Sequence, residues 1–244
     1  MAGHGRRVKV TAIKVESLVK RYGGFAALNQ FSLQLEPGQV VGLLGENGCG
    51  KTTLLKILAG VLMRYEGQVE ILGQQPGPET KAQVSYLPDQ SFLADGDSIE
   101  RCARLFADFF SDFNRAKFDD LIQFFGLETK RKLVELSKGM REKAQIALAM
   151  SRDAKVFLLD EPISGVDPAA REVIMRAIVR NLEPDSLVLL STHLVHDVEP
   201  ILDRVVMMRY GQVLIDGLVD ELRAERGMGM EQLFKEVYQW SESY

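Results

Sequence analysis

The chain is poor in the features that would staple, anchor or spread it. It has only two cysteines, Cys49 and Cys102, among 244 residues. Two are too few for a disulfide framework, their spacing matches no metal pattern, and a pair of free thiols suits a reducing cytoplasm. No apolar run approaches the roughly 18 to 20 residues of a membrane-crossing helix, and the opening MAGHGRRVKV lacks the apolar stretch of a secretory signal. The expectation is a chain that stays inside the cell with no membrane segment of its own. Neither sign of charge dominates, because 30 basic against 34 acidic residues leave a net charge of -4. No global field therefore draws the chain to nucleic acid or anionic lipid, and there is no basic tract, heptad pattern or internal repeat. With 8 prolines, 21 glycines and 46% hydrophobic residues, the composition excludes collagen-like, low-complexity and disordered chains and leaves a globular fold with a sizeable core.

What is present is alternation. VKVTAIKV, FSLQL and QVVGLLG read as strands in the first part of the chain, the last following the turn Glu36-Pro37-Gly38. VVGLL is a continuous apolar run, as in a strand buried on both faces, and it leads directly into a Gly-rich turn and a helix. QVEIL and VSYL are further strands. From about Ser98 to Leu127 the pattern turns helical, with Leu105, Phe109 and Phe113, then Leu121, Phe124 and Phe125, expected on apolar faces. Next come a helix in KGMREKAQIALAMS, a strand in VFLLD, a helix in PAAREVIMRAIVRN with Val173, Ile174, Ala177 and Ile178 on one face, and a strand in SLVLLS. Strand-helix alternation of this kind implies a parallel sheet covered by helices. RVVMMR and QVLID, split by Tyr210-Gly211, predict two more strands, followed by helices near 217–225 and 230–240.

The sharpest motif is Gly45-Glu-Asn-Gly-Cys-Gly50-Lys51-Thr52, a full match to G-x-x-x-x-G-K-[ST]. The glycines let consecutive N–H groups turn inward as an anion nest, and the helix N-terminus adds positive potential. Lys51 then reaches the β- and γ-phosphates while the Thr52 hydroxyl ligates Mg²⁺. A chance match in a chain of this length is on the order of 1%. Val156-Phe-Leu-Leu-Asp160-Glu161 is an apolar strand ending in two acids. Ligands bind at the carboxyl ends of strands in open α/β sheets, so Asp160 can hold Mg²⁺ and Glu161 can polarise an attacking water. Taken alone, the same two acids serve equally well to cap the next helix, and Ser137, ahead of KGMREK, is an adequate helix cap.

The order of these motifs carries more than any one of them. A P-loop, a helical insertion, Ser-x-Gly at a helix start, apolar-Asp-Glu, Ser164-Gly165-Val166-Asp167 and Ser191-Thr192-His193 together resemble the nucleotide-binding subunit of ATP-binding cassette (ABC) transporters over roughly residues 10 to 220. The resemblance implies that Gly45, Asn47, Gly48, Cys49, Gly50, Lys51, Thr52 and Thr53 cradle ATP. It makes Asp160 the metal-side aspartate, Glu161 the catalytic glutamate, and His193 the switch histidine at the γ-phosphate. LSKGM resembles the family's LSGGQ signature, with Lys138 for a glycine and Met140 for a glutamine, and it keeps Ser137 and Gly139. Asp167 belongs to the loop after the catalytic glutamate, and Tyr22 falls where the family stacks an aromatic ring on adenine. The family's glutamine after a YLP-like segment is displaced: Asp89 follows Pro88 and only then Gln90, so either could serve the metal.

The implied fold is an α/β P-loop NTPase with a mixed sheet, an antiparallel N-terminal β subdomain and a parallel core, plus an inserted α-helical subdomain. Residues 8–84 and 154–217 would form the RecA-like core with the β subdomain, 85–153 the helical subdomain, and 218–244 the C-terminal helices. The implied activity is ATP hydrolysis with Mg²⁺ by a homodimer or heterodimer of ATPase subunits. It would drive separate transmembrane permease subunits from the inner face of the cell membrane, in a branch resembling exporters. The phenylalanine-rich stretch within 85–127 either docks on those subunits or only packs its own subdomain. No nucleic-acid partner is expected. The alternative is a soluble ABC ATPase acting on DNA or the ribosome, which usually carries two cassettes or a long coiled coil. A GTPase is disfavoured because the chain has no Asn-Lys-x-Asp.

Overall fold

A computed structural model of the chain describes residues 11–239. Strands β1 (Ile13–Tyr22) and β2 (Phe25–Leu35) form a long hairpin, and β4 (Glu66–Ile71) adds to β1, giving an antiparallel sheet in the order β2-β1-β4. The hairpin is longer than the two short strands expected from alternation, and the part of VKVTAIKV before residue 11 lies outside the described residues. Bulges explain the difference. Ser17 and Gln30 adopt positive φ of 49° and 56°, and the β1/β2 register shifts beside each, so apolar positions change face where the pleat breaks.

The main sheet has the order β5 (Val84–Leu87), β6 (Val156–Asp160), β7 (Leu187–Thr192), β3 (Gln39–Leu44), β8 (Arg204–Arg209), β9 (Gln212–Leu218). Only β9 runs antiparallel. The apolar runs of β3, β6 and β7 are explained by burial on both faces. Val41, Leu43, Leu158 and Leu189 face α1 (Lys51–Leu58) and the antiparallel sheet, where Ile13, Leu18 and Phe31 close the cluster. Val40, Leu44, Leu159 and Leu190 face the opposite way, toward α5 (Lys138–Met150) and α6 (Pro168–Arg180). Each such leucine contributes roughly 1.5–3 kcal/mol of burial. Because β3, β6 and β7 are parallel and adjacent, their carboxyl ends bring Gly45, Asp160 and Thr192 to one edge.

Between β5 and β6 lie α3 (Ile99–Phe109), α4 (Arg115–Phe125) and α5, and a short α2 (Pro78–Lys81) precedes β5. The expected apolar face of α3 is corrected. Ile99, Cys102 and Ala103 are its buried positions, whereas Leu105 is 40% and Phe109 80% exposed. Phe113 lies beyond the helix, in a turn bridged to Arg152. On α4, Leu121 and Phe125 are buried, while Phe124 is partly exposed under the Arg180 guanidinium. Arg152 fastens this helical group to the core. Its guanidinium pairs with Asp112, donates to the carbonyls of Val84, Lys81 and Ala82, and stacks on Phe110.

After β7 come α7 (Val195–Val198), the β8/β9 hairpin, α8 (Val219–Arg226) and α9 (Met230–Gln239). β9 extends to Leu218, so α8 starts two residues later than its sequence pattern predicts. Residue 240, expected at the end of the last helix, lies outside the described residues.

Candidate active site

The P-loop leaves the central strand β3 and turns into α1. Gly48 and Gly50 take positive φ of 81° and 113°, and a Cβ on Gly50 would stand 2.3 Å from the Ala27 carbonyl oxygen. Only glycine fits there, because both the backbone conformation and the space exclude a side chain. Lys51 is almost fully buried, and its ammonium donates to the carbonyls of Gly45 (2.7 Å) and Glu46 (3.1 Å).

At the end of β6 the two acids play different parts. Asp160 Oδ1 accepts from Ser191 Oγ (2.6 Å) and Thr52 Oγ1 (3.1 Å), whereas its Oδ2 is buried without a partner. Burial pushes the Asp160 carboxyl up, the two hydroxyls pull it down, and the Asp89 and Glu161 charges push it up again. An orphaned carboxylate oxygen beside a threonine hydroxyl suits a hard cation that wants oxygen ligands. Among the described residues no group of three or more His, Cys, Asp or Glu side chains could hold a metal unaided. The Thr52 hydroxyl and the unpartnered Asp160 oxygen fit Mg²⁺, which binds through one or two protein oxygens plus substrate phosphates.

Glu161 turns away from the strand with a positive φ of 50°. A bulky residue in that region costs of order 1–3 kcal/mol, so the neighbours must hold it. Its amide donates to both the carbonyl and the hydroxyl of Ser191, at 3.1 Å each. Its carboxylate faces His193 Nδ1 at 3.1 and 3.2 Å and stands 3.7 Å from the Lys51 ammonium. A carboxylate, a histidine and a lysine thus converge above the P-loop.

Lys51, Thr52 and Glu161 line a cleft of about 340 Å³, within the usual range for a small-ligand site, whereas Asp160 and His193 stand behind that lining. Asn47, Gly48, Gly50, Lys51, Thr52 and Thr53 form its floor, with Asp89 and Glu161 at one side. Tyr22 and Phe25 stand at the other side, as the directly opposed last pair of the β1/β2 hairpin.

Similarity to known proteins agrees with this geometry. Residues 28–164, more than half of the chain, match the ABC transporter family. A daunorubicin resistance ATP-binding protein of Streptomyces coeruleorubidus is 32% identical, over 89% of this chain and 71% of that protein. An ABC transporter ATP-binding protein of Methanocaldococcus jannaschii is 30% identical, over 86% of this chain and 79% of its own length. The chain belongs to the ABC transporter family. A solved ATP-binding subunit of an ABC transporter superposes with a TM-score of 0.82 at 27% identity, covering 93% of this chain and 99% of that one. A Nod factor export ATP-binding protein of Cupriavidus metallidurans is 30% identical, over 87% of this chain and 73% of that protein. This ABC protein is an ATPase that binds and hydrolyses ATP, on an α/β P-loop fold with an antiparallel sheet, a mixed sheet and added helices.

Several residues that the sequence nominates in this ABC ATPase lie off the cleft. Gly45 and Cys49 sit behind it: Cys49 is buried, and burial pushes its thiol up, with Lys51 offsetting part of the effect. Asp89 lines the cleft and Gln90 does not. Ser137 caps α5 by accepting from the Met140 amide, and Asp167 caps α6 by accepting from the Ala170 amide. These two caps form a second surface, where a Cβ on Gly139 would stand 3.7 Å from Asp167 Oδ2. Lys138 lies across Gly165, filling the space a Cβ would take there. Phe25 was missed because it follows Gly23-Gly24 as an ordinary strand residue, and only the hairpin pairing puts it beside Tyr22.

Just beyond Asp89 the chain enters an apolar groove of about 430 Å³, where Phe92, Leu93, Leu105, Phe106, Phe109 and Phe110 are gathered. The misassigned face of α3 is one wall of this groove.

Proposed function

We propose that this chain is the ATP-hydrolysing subunit of an exporter, working in pairs with a second ATPase subunit, identical or related, on separate membrane-spanning permease subunits. The observation that carries the proposal is the pairing of the cleft with the apolar groove through the short segment 89–92. Tyr22, with Phe25, stacks on adenine. The backbone of Gly48, Gly50 and Thr53 cradles the phosphates, and Lys51 exchanges its carbonyl partners for the β- and γ-phosphates. Thr52 and Asp160 would hold Mg²⁺, with Asp89 rather than Gln90 beside them. Mg²⁺ bound there would neutralise phosphate charge.

Glu161 accepts a hydrogen bond from the attacking water, whose oxygen bonds to the γ-phosphorus as the bond to the β-bridging oxygen breaks. His193 and Lys51 stabilise the charge that develops. The surface formed by Ser137, Gly139 and Asp167 closes on the cleft of the second subunit, so that each site is completed across the pair. ATP favours the closed pair because it touches both surfaces, and ADP, lacking the γ-phosphate, does not.

The exporter assignment is supported by the relatives named for daunorubicin resistance and for Nod factor export. The groove supports docking, because Phe109 is 80% exposed and an apolar patch of this kind marks an interaction surface. No helix among the described residues is long and apolar enough to cross a membrane. The subunit therefore sits on the inner face of the cell membrane through its partners.

The test is to tag the chain in its native cells, isolate it from solubilised membranes and identify by mass spectrometry what accompanies it. Recovery with a protein bearing several segments of about 20 apolar residues, lost on Phe109→Asp, is the expected result. Recovery only from the soluble fraction, with ribosomes or DNA, overturns it in favour of the soluble ATPase.

A further inference from the structure

The last helix reaches the P-loop from behind. Tyr238 is 6% exposed, stacks on Phe234 with ring centroids 4.3 Å apart, and donates its hydroxyl hydrogen to the Met208 carbonyl at 2.5 Å. Met208 belongs to β8, the neighbour of β3, and its carbonyl forms the wall behind Gly45. A Cβ built on Gly45 would stand 2.7 Å from Met208 O, 2.5 Å from Cys49 Sγ and 3.4 Å from the Tyr238 hydroxyl oxygen. The first glycine of the nucleotide loop is thus required because Cys49 Sγ and the Met208 carbonyl close on it, and the Tyr238 hydroxyl stands behind that carbonyl. Burial pushes the phenol up, with the Cys49 and Glu46 side chains adding to the effect, so the group remains a donor.

The opposite end of α9 is fastened to the histidine loop. Glu199 lies six residues after His193, in the turn that continues α7. Its carboxylate accepts from the amides of Met230 (3.0 Å) and Glu231 (3.4 Å) at the start of α9, and from Arg223 of α8 (2.8 Å). A helix of 10 residues is about 15 Å long. That length joins the segment behind His193 to the segment behind Gly45.

We infer that α9 is a strut that sets the P-loop for nucleotide, and that Tyr238 is its positioning residue, acting through Met208 and Gly45 and touching no ligand. The inference rests on the P-loop being the nucleotide site. Inward-facing amides hold a phosphate only if the loop backbone stays in place when Lys51 releases the carbonyls of Gly45 and Glu46. A wall fixed by a buried hydrogen bond resists that relaxation. The bond belongs to binding rather than to chemistry, so its loss raises KM and spares kcat.

The experiment compares Tyr238→Phe with the parent in the full chain, using a fluorescent ATP derivative for binding and steady-state hydrolysis of ATP. The ring is retained, so its packing on Phe234 keeps the helix docked. A net hydrogen bond of about 0.5–1.5 kcal/mol corresponds to about 2- to 12-fold, so binding at least about twofold weaker, with KM raised in step and kcat unchanged, is expected. Affinity within twofold of the parent, or a fall in kcat at constant KM as from a smaller folded fraction, overturns the inference. Lys51→Ala is run in parallel. If it abolishes binding while Tyr238→Phe does nothing, only the strut fails; if Lys51→Ala still binds normally, the nucleotide site itself has been misplaced.

Discussion

Glu161 combines a strained backbone with three converging partners. Its positive φ is held by two hydrogen bonds to Ser191, and its carboxylate meets His193 and Lys51. A carboxylate held in this conformation is oriented before any ligand arrives. Glu161→Gln keeps the size and the backbone contacts but loses the base. Turnover should fall about 10²- to 10⁴-fold with ATP affinity retained, measured by phosphate release and by nucleotide titration; unchanged turnover removes Glu161 from its role. The neighbouring pair Asp89 and Gln90 is separated by geometry, since only Asp89 reaches the cleft. Asp89→Ala should lower turnover and weaken Mn²⁺ binding to the ATP complex, read by electron paramagnetic resonance. Gln90→Ala should change neither, and the reverse result would mean that the loop shifts by one residue.

At the scale of elements, the apolar stripe of α6 meets the core and that of α3 does not. α6 buries Ile174, Ala177 and Ile178, as its spacing predicts, and leaves Val173 half-buried at the edge of that face. α3 presents Leu105 and Phe109 outward, because Ile99, Cys102 and Ala103 make its core-facing side. Apolar spacing identifies a stripe without saying whether the stripe meets the core or another molecule. The start of α9 carries its own test. Burial alone would raise the Glu199 carboxyl, but the Met230 amide, Arg223 and the Glu231 amide outweigh it and hold it below the usual range. A depressed folded value means a contribution that is complete above the unfolded value of about 4.3 and is lost as pH falls through the folded one. Glu199→Gln should therefore cost about 1 kcal/mol at neutral pH, as for a lost helix cap, or roughly 2–4 °C in melting temperature. The gap to the parent should close as pH drops below about 4; a gap that stays constant with pH rules out the carboxylate.

At the scale of the molecule, one chain holds two separate surfaces. The cleft carries Glu161 and the phosphate loop, with His193 against Glu161, while Ser137, Gly139 and Asp167 face outward elsewhere. If the pair completes each site, Glu161→Gln with ATP and Mg²⁺ should elute from a sizing column at twice the monomer mass. It should return to monomer when ATP is omitted or Mg²⁺ is chelated. A monomer under all conditions would mean that the signature surface serves something other than a second ATPase subunit.

The phosphate loop, the Asp160-Glu161 strand end, the alternation of strand and helix and the family were legible in the sequence. Each depends on short-range chemistry: glycines that permit positive φ, apolar runs buried on both faces, and acids placed at a strand's end. Other features required the tertiary structure, because each depends on residues far apart in the chain. Phe25 joins Tyr22 only through the register of a bulged hairpin, and Asp89 rather than Gln90 lines the cleft only because of where the end of β5 points. The exposure of Phe109 depends on which face of α3 the core accepts. Tyr238 comes to rest behind Gly45 because α9, fastened at Glu199, returns across the sheet, and no local pattern of residues encodes that meeting.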